Sequence, residues 1–356
     1  MVRQTVWKAR GATLNPPSRF DGQTHEPDDD GWPRPEEDEP PVLRTAVHDD
    51  PSRSILSTND SPDIGFDLSI NPYRGCEHGC IYCYARPTHA FLGHSPGLDF
   101  ETQLYAKRGG AELLREALCR PDHLPRALAL GTVTDPYQPI ERRLGITRSI
   151  LEVLLEARHP VGIVTKSAAV VRDLDLLSKM AEMELVSVEI SITTLRRDLA
   201  RKLEPRAAVP AKRLAAIASL ARAGVPVGVN VAPIIPGLTD PEIESILAAA
   251  AEAGADHANH ILLRLPFEVK DLFADWLSVH YPDRASHVLS LVRQTRGGRL
   301  NDSRFHERFK GLGVYADMIR ERCGKAMKRL GLNGEGRARI RIDHFRPPSR
   351  QWDLFG

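Results

Sequence analysis

A chain of 356 residues with 42% apolar and 27% charged side chains has the make-up of an ordinary globular protein, long enough for one large core plus appendages. Its formal net charge is +1, so whole-chain electrostatics select no polyanionic or polycationic partner. No uninterrupted apolar run approaches the roughly 20 residues of a membrane span, and the start MVRQTVWKARG carries no apolar signal-peptide region, so the expectation is a cytoplasmic protein with no membrane partner.

Residues 1–60 read as an irregular, partly disordered extension. RGATLNPPSRF is turn-rich, with Arg10 and Arg19 as candidate contacts to phosphate or acidic groups, and residues 26–50 are acidic and proline-rich, a composition that builds no core of its own. From 61 to 266 short β-branched runs alternate with amphipathic stretches. Strands are expected at Asp67–Asn71, Asp99–Ala106, Ala127–Val133, Val161–Lys166, Val186–Ile192, Val225–Ala232 and His260–Leu265. Helices are expected at Ala111–Cys119, Ile146–Ala157, Ala169–Met183, Ala211–Ala223 and Pro241–Ala253. Gly224 sits where a helix-ending glycine belongs, and Thr239 before Asp240-Pro241 suits an N-cap. This repetition means parallel strands joined by crossovers, hence an α/β protein, either a doubly wound sheet or an open, incomplete barrel. In both, chemistry gathers at the C-terminal strand ends.

Residues 267–345 change to helices alone, at Val269–His280, Arg284–Arg293 and Phe305–Leu330, followed by the alternating run RARIRIDHF. From Arg284 to Arg350 there are 17 Lys/Arg against 6 Asp/Glu, a composition that suits either phosphate contact or a solvated helical face. Residues 346–356 read as a flexible tail.

Three of the five cysteines lie in RGCEHGCIYCY, directly after the first expected barrel strand. Cys76, Cys80 and Cys83 have the spacing C-x3-C-x2-C, and an odd, clustered set fits a reducing compartment. A structural zinc site would need a fourth ligand, for which His78 or His89 is on offer, yet such sites usually come as two separated ligand pairs. A [4Fe–4S] cube held by three thiolates keeps one iron open, and an open iron is a binding position. Cys119 and Cys323 stand apart and read as packing residues, and His25, His78, His89 and His94 as loop histidines satisfied locally.

The triplet with the aromatic Tyr82 before its last cysteine, in a loop after the first strand of an α/β barrel, resembles the radical S-adenosylmethionine (SAM) superfamily. Over about residues 66–266, the stretches NPYRGCEHGCIYCYARP, GTVTDPYQPIE, IVTKS, VEISITT, LEPRA and VAPIIPGLTD are similar to the spore photoproduct lyase-related branch. The resemblance implies an incomplete (β/α)6-type barrel and a [4Fe–4S] cluster on Cys76, Cys80 and Cys83. It further implies SAM chelated to the open iron and cleaved to a 5′-deoxyadenosyl radical, with an electron donor such as a flavodoxin or ferredoxin. Thr134, Lys166, Ser191 and Ala232 match positions that hold SAM, and Tyr82 and Tyr84 match tyrosines that pass a radical. Strand alternation puts Thr132 with Thr134, Val164 with Lys166, Glu189 with Ser191 and Asn230 with Ala232 on shared faces. One departure stands out: where the lyase carries a hydrogen-donating cysteine in a C-T-S-D stretch, this chain has Thr132 in Thr132-Val133-Thr134-Asp135. A threonine O–H bond is too strong to replace that thiol, so the substrate or route differs.

The final QWDLF resembles the bacterial sliding-clamp-binding motif, with Leu354 and Phe355 for an apolar pocket and Gln351 and Asp353 for polar contacts. Kinship to the lyase branch, the arginine-rich C-terminal region and this tail converge on a radical SAM enzyme acting on nucleic acid, plausibly damaged DNA. The alternatives are the same chemistry on a peptide, RNA or small molecule, or a non-catalytic iron–sulfur or zinc module associated with DNA.

Overall fold

The computed structural model describes residues 6–20, 43–334 and 340–348. In chain order the strands are β1 (Ala46–Asp49), β2 (Leu56–Thr58), β3 (Leu68–Ile70), β4 (Tyr73–Arg74), β5 (Gln103–Ala106), β6 (Leu128–Leu130), β7 (Val161–Thr165), β8 (Val186–Ser191), β9 (Val227–Ile234) and β10 (His257–Leu262). The α-helices are α1 (Asp99–Thr102), α2 (Gly110–Leu118), α3 (Glu141–Leu144), α4 (Ile146–Glu156), α5 (Leu174–Glu182), α6 (Arg197–Leu203), α7 (Pro210–Arg222), α8 (Ile243–Glu252), α9 (Val269–His280), α10 (Pro282–Gln294) and α11 (Val314–Arg329).

Seven strands form the main sheet in the order β10-β9-β8-β7-β6-β3-β2. From β3 to β10 all neighbours are parallel, and β2 adds one antiparallel edge strand. Among the described residues no ladder joins β10 back to β2, so the six parallel strands make an open, incomplete barrel. The alternation in the strands explains the layering. Val161 and Ile163, Val186, Val188 and Ile190, and Val227, Val229 and Val231 pack outward against Ile150, Leu154, Leu177, Met180, Ile217 and Leu247 of the helices. The intervening residues, Gly162, Val164, Ser187, Glu189, Gly228 and Asn230, therefore face the concave side, which is polar and lightly packed.

β1, β5 and β4 form a separate small sheet, and β1 and β2 both fall in the stretch read as irregular. The expected second barrel strand, Asp99–Ala106, is instead the helical turn α1 followed by β5 of this small sheet. A local strand pattern does not say which sheet it joins, and here the antiparallel pairing of Tyr73 with Ala106 diverts β5 to the chain just before the cysteines. The strand expected at His260–Leu265 begins three residues earlier, at His257. The helix expected at Phe305–Leu330 is α11 alone, since residues 305–310 form turns. Gly224 does end α7 with φ +71°. Thr239 precedes only a short 3-10 turn and spends its hydroxyl on the Ile235 amide at 2.8 Å rather than capping.

A second core joins the mouth of the barrel to the C-terminal helices: Leu199, Leu203, Ile235 and Leu265 pack with Phe273, Trp276 and Val288, and with Ile81 from the cysteine loop. The outer edge of β10 is covered at both ends, by the Phe309 carbonyl on Leu262 N–H (2.9 Å) and the Leu332 carbonyl on Ala258 N–H (3.1 Å). No described helix is long and apolar enough to cross a membrane.

Candidate active site at the barrel mouth

The cysteine loop is built by close backbone packing. β3 delivers the chain to the C-terminal end of the sheet, and β4 turns it over that end. Gly75 has φ +77°, and a Cβ there would meet Leu104, His89 and the Phe100 carbonyl within 3 Å, so only glycine fits. Cys76 N–H then bonds the Phe100 carbonyl (2.9 Å), Ile81 N–H the Leu203 carbonyl (3.0 Å), and Cys83 N–H the Cys80 carbonyl (3.2 Å). Arg86 donates Nε to the Cys80 carbonyl (2.9 Å) and pairs at 2.5 Å with Glu101, both side chains fully buried. Glu101 also accepts the Gly11 and Ala12 amides at 2.9 Å each, so one carboxylate ties the N-terminal segment to the loop. A Cβ at Gly11 would lie 1.8 Å from the Gly79 carbonyl oxygen.

All three thiols are free; Cys76 and Cys80 are buried and Cys83 half-buried. Burial pushes the Cys76 thiol well up, aided by the negative Asp135, and burial likewise raises Cys80. Three thiolates so close, out of water, are stable only with a cation to compensate them. Among the described residues no three His, Cys, Asp or Glu side chains converge as the ligands of one metal ion would. Thiolates of a cubane each bind a different iron, so such a set need not converge on one point. Each offered fourth zinc ligand is held through one ring nitrogen: His78 Nδ1 lies 3.2 Å from Asp135, and His89 Nε2 2.8 Å from the Gln103 carbonyl, with burial lowering the His89 pKa to about 4 and its Nδ1 left without a partner. His94 bonds the Tyr105 hydroxyl at 2.8 Å, while His25 lies outside the described residues. The residues present therefore fit an iron–sulfur cluster.

The other sequence candidates surround this loop. Lys166 directly follows β7, its Nζ 5.8 Å from the Tyr82 ring centre, and Ser191 is the last residue of β8. Ala232 lies two residues before the end of β9 and is 7% exposed. Thr132 and Thr134 do not share a strand face, because β6 stops at Leu130 and both lie in the loop beyond it. The Gly131 conformation, φ +92°, starts that turn, and Asn71 holds it through bonds to the Thr132 and Val133 amides (3.0 and 2.9 Å). Thr134 Oγ1 donates to the Gly75 carbonyl at 2.7 Å, so it braces the cysteine loop from below. Level with Ser191 in the sheet register, Asn230 presents a buried Oδ1 with no partner to the concave side, an acceptor suited to a polar ligand.

Tyr82 is buried and donates to Glu204, with Thr193 Oγ1 at 3.0 Å. Glu204 is paired on its other oxygen with Arg213, each side chain 1% exposed. Burial alone would raise the Glu204 pKa; Arg213, Lys166 and the hydrogen bonds outweigh it and hold the carboxyl at about 2. Asp135 is treated alike: burial opposes its charge, while His78 and the Lys166 and Thr165 hydrogen bonds hold it at about 2. Tyr84 turns the other way, donating to the Thr132 carbonyl, with the Arg264 guanidinium 4.2 Å over its ring.

A family model described as the radical SAM superfamily matches residues 70–250. The chain belongs to that superfamily. An uncharacterised protein of Mycobacterium tuberculosis strain H37Rv is 36% identical over 274 residues, 76% of this chain and 77% of that one. An uncharacterised Methanocaldococcus jannaschii protein is 33% identical over 183 residues, 50% of this chain and 64% of that one. Among solved structures, spore photoproduct lyase complexed with dinucleoside spore photoproduct aligns with TM-score 0.56 at 17% identity, covering 80% of this chain and 78% of that one. Radical SAM membership implies a [4Fe–4S] cluster and SAM, and an enzyme.

Several supporting residues of this radical SAM site escaped the sequence reading. Glu204 and Asp135 sit inside quoted stretches, LEPRA and GTVTDPYQPIE, where an acid beside a proline was the available signal. Arg86 likewise lies inside the quoted NPYRGCEHGCIYCYARP, whereas Glu101 and Arg213 carry no local signal, since each gains its meaning from a partner across the fold. Cys119 donates to the Pro348 carbonyl (3.2 Å) after α2, a helix that ends at the opposite end of the barrel, and Cys323 is buried in α11 against the outer core. Neither is in reach of the loop, in keeping with their reading as packing residues.

Proposed function

We propose that Cys76, Cys80 and Cys83 hold a [4Fe–4S] cluster, that Thr134, Lys166, Ser191 and Ala232 line the SAM site, and that the substrate is nucleic acid, with damaged DNA the first candidate. The observation that carries the cofactor assignment is the set of three reduced, largely buried thiols in one loop at the C-terminal mouth of a radical SAM barrel. When bound, cluster and SAM would supply one-electron cleavage of the sulfonium and hydrogen-atom abstraction from the substrate. The chain's own residues do the rest. Lys166 offers an ammonium to carboxylate or ribose oxygens, Thr134 and Ser191 offer hydroxyls, and the small Ala232 leaves room for the ligand. Tyr82, hydrogen-bonded to a carboxylate held ionised, has an acceptor for its proton if its ring is oxidised, and Tyr84 stands at the outer rim as the second candidate carrier. The Ile81, Leu203 and Phe273 core keeps water from the buried side of the loop.

For the nucleic-acid half, support comes from the solved structural neighbour, whose ligand is a dinucleoside lesion, and from the basic C-terminal region. Thr132, its hydroxyl bonded to Asn71 (3.0 Å), has no thiol hydrogen to give, so we propose a reaction other than the lyase's own. The division into an extension (1–60), a barrel core (61–266), a helical region (267–345) and a tail (346–356) is part of the same reading, as is reduction by a flavodoxin- or ferredoxin-type donor in the cytoplasm. The clamp-like residues Gln351, Leu354 and Phe355 lie outside the described residues. Deleting 351–356 and titrating a sliding clamp calorimetrically tests them, and undiminished affinity ends that idea. The test of the central claim is anaerobic: reconstitute the cluster, reduce with dithionite, add SAM and assay 5′-deoxyadenosine, with Cys80→Ala alongside. Production by the wild type alone supports the assignment; no product with or without DNA refutes it.

A further inference from the structure

The 17 basic residues of the C-terminal region are not a uniform positive surface. Arg296 is buried and caps the Leu262, Leu263 and Glu307 carbonyls, Arg322 binds Glu244, Arg308 binds Asp63, and Arg304 and Arg341 bind Asp302 and Asp343. At the β10 edge, however, Lys310 and Arg320 stand together beside one cavity. A cavity of about 350 Å³, the size of a small-ligand site, opens at the β10 edge of the barrel, lined in part by His260, His306, Phe309, Lys310, Arg320 and Asp63.

Its charge is one-sided. Asp63 is committed to Arg308 (2.6 Å) and the His306 amide (3.1 Å). Lys310 is exposed and has no ion pair among the described residues. Among the described residues Arg320 pairs with Asp317 alone, one turn away on its own helix, at 2.9 Å. The field is felt inside: burial first, then Arg320 and Lys310, lower the pKa of His260. Aromatic faces stand beside these cations. Phe305 is 51% exposed, and Arg308 lies 5.0 Å over its ring and 4.8 Å over that of Phe309. Arg264 lies 5.0 Å from the Phe309 ring and 4.2 Å from that of Tyr84, with no hydrogen bond or salt bridge among the described residues. Tyr84 directly follows Cys83, so the row of cations and rings runs from the cavity to the cysteine loop.

Cations interleaved with exposed aromatic faces are what a nucleic-acid strand requires, phosphates on the first and bases on the second; an acidic peptide would use the cations but leave the rings idle. We propose that this edge cavity binds the phosphodiester backbone of a single-stranded or extruded nucleotide stretch, with Lys310, Arg320 and His306 on phosphate, the exposed Phe305 as the stacking face, and Arg264 guiding the strand to the cysteine loop. The inference deepens the nucleic-acid reading and rests on it.

The test is fluorescence anisotropy of a labelled single-stranded oligonucleotide with the full chain over a range of salt. Lys310→Ala/Arg320→Ala should weaken binding roughly tenfold and reduce the log–log salt slope by about 1.4, two single-strand phosphate contacts' worth. Lys212→Ala/Arg222→Ala, which removes two charges from α7, should bind like the wild type, and Lys310→Glu alone should weaken binding if the double variant melts early. Wild-type binding that both double variants match, or lose equally, overturns this site while leaving the nucleic-acid reading intact. No wild-type binding at any salt overturns both. Displacement of the oligonucleotide by polyglutamate of equal charge, as effectively as by unlabelled oligonucleotide, overturns the nucleic-acid assignment in favour of an acidic polypeptide.

Discussion

Replacing Arg213 with methionine would strand a carboxylate beneath the cysteine loop. Glu204 keeps the hydroxyls of Tyr82 and Thr193 (the latter at 2.7 Å) and the more distant Lys166 but loses the guanidinium bonded to it, and the Ser191 and Ala208 carbonyls lose their donors at 3.0 and 2.7 Å. Breaking one side of a buried pair of this kind costs about 3–5 kcal/mol. In a chain of this size that corresponds to a fall in melting temperature of roughly 4–7 °C. The pH dependence gives a sharper signature. In the wild type the folded Glu204 carboxyl titrates at about 2 against an ordinary 4.5, so its contribution is complete above 4.5 and is lost as pH falls toward 2. That contribution is about 3 kcal/mol. Without Arg213 the largest charge that opposes burial is gone and the folded pKa moves up, so the variant's deficit should be greatest at neutral pH and shrink on acidification. Thermal melts of wild type, Arg213→Met and Glu204→Gln/Arg213→Met between neutrality and mild acid measure this, and the double variant should recover at least half the loss. A single variant that melts within about 1 °C of wild type, or a deficit that does not shrink with acid, refutes the reasoning.

Gly11→Ala should unseat the N-terminal segment, because its Cβ meets the backbone carbonyl of Gly79 at 1.8 Å. A loss of about 1–3 kcal/mol and faster proteolysis between residues 6 and 20 is expected, and unchanged proteolysis would count against the contact. Cys80→Ala should lower iron per chain after reconstitution to near background, whereas Cys119→Ala should leave it unchanged, as read by iron and sulfide analysis. His159 sits buried with its pKa lowered to about 4, chiefly by burial. The unfolded chain therefore binds a proton the folded one refuses, and stability should fall by up to about 3 kcal/mol as pH drops from 6.5 to 4. His159→Gln should flatten that part of the stability–pH curve, as denaturant titrations would reveal.

Much of the site was readable because its signals are local. The Cys76–Cys80–Cys83 spacing is a property of eight adjacent residues, and the Val-x-Val-x-Val of β9 carries its own periodicity, so both survive without knowledge of the fold. Lys166 and Ser191 were legible for a related reason: strand alternation and a strand end together fix which side and which end of the sheet they occupy. The β6 boundary failed where these signals compete. Thr132, Val133 and Thr134 look like strand, but the left-handed Gly131 and the Asn71 side chain turn them into the loop that braces Gly75.

The sequence by itself determined the thiol triplet, the parallel α/β repetition and the switch to helices after residue 266, because each follows from spacing or period along the chain. Only the tertiary structure decided that β5 belongs to a second sheet, that Glu101 gathers Arg86 and two amides from residues 11 and 12, and that Arg296, Arg304, Arg308, Arg322 and Arg341 are spent on carboxylates and carbonyls of the chain itself. The reason is physical. A buried charge is tolerable only beside a partner, and that partner can lie 90 residues away, as Gly11 does from Glu101. Composition counts the charges; the fold determines which of them are left to meet a substrate.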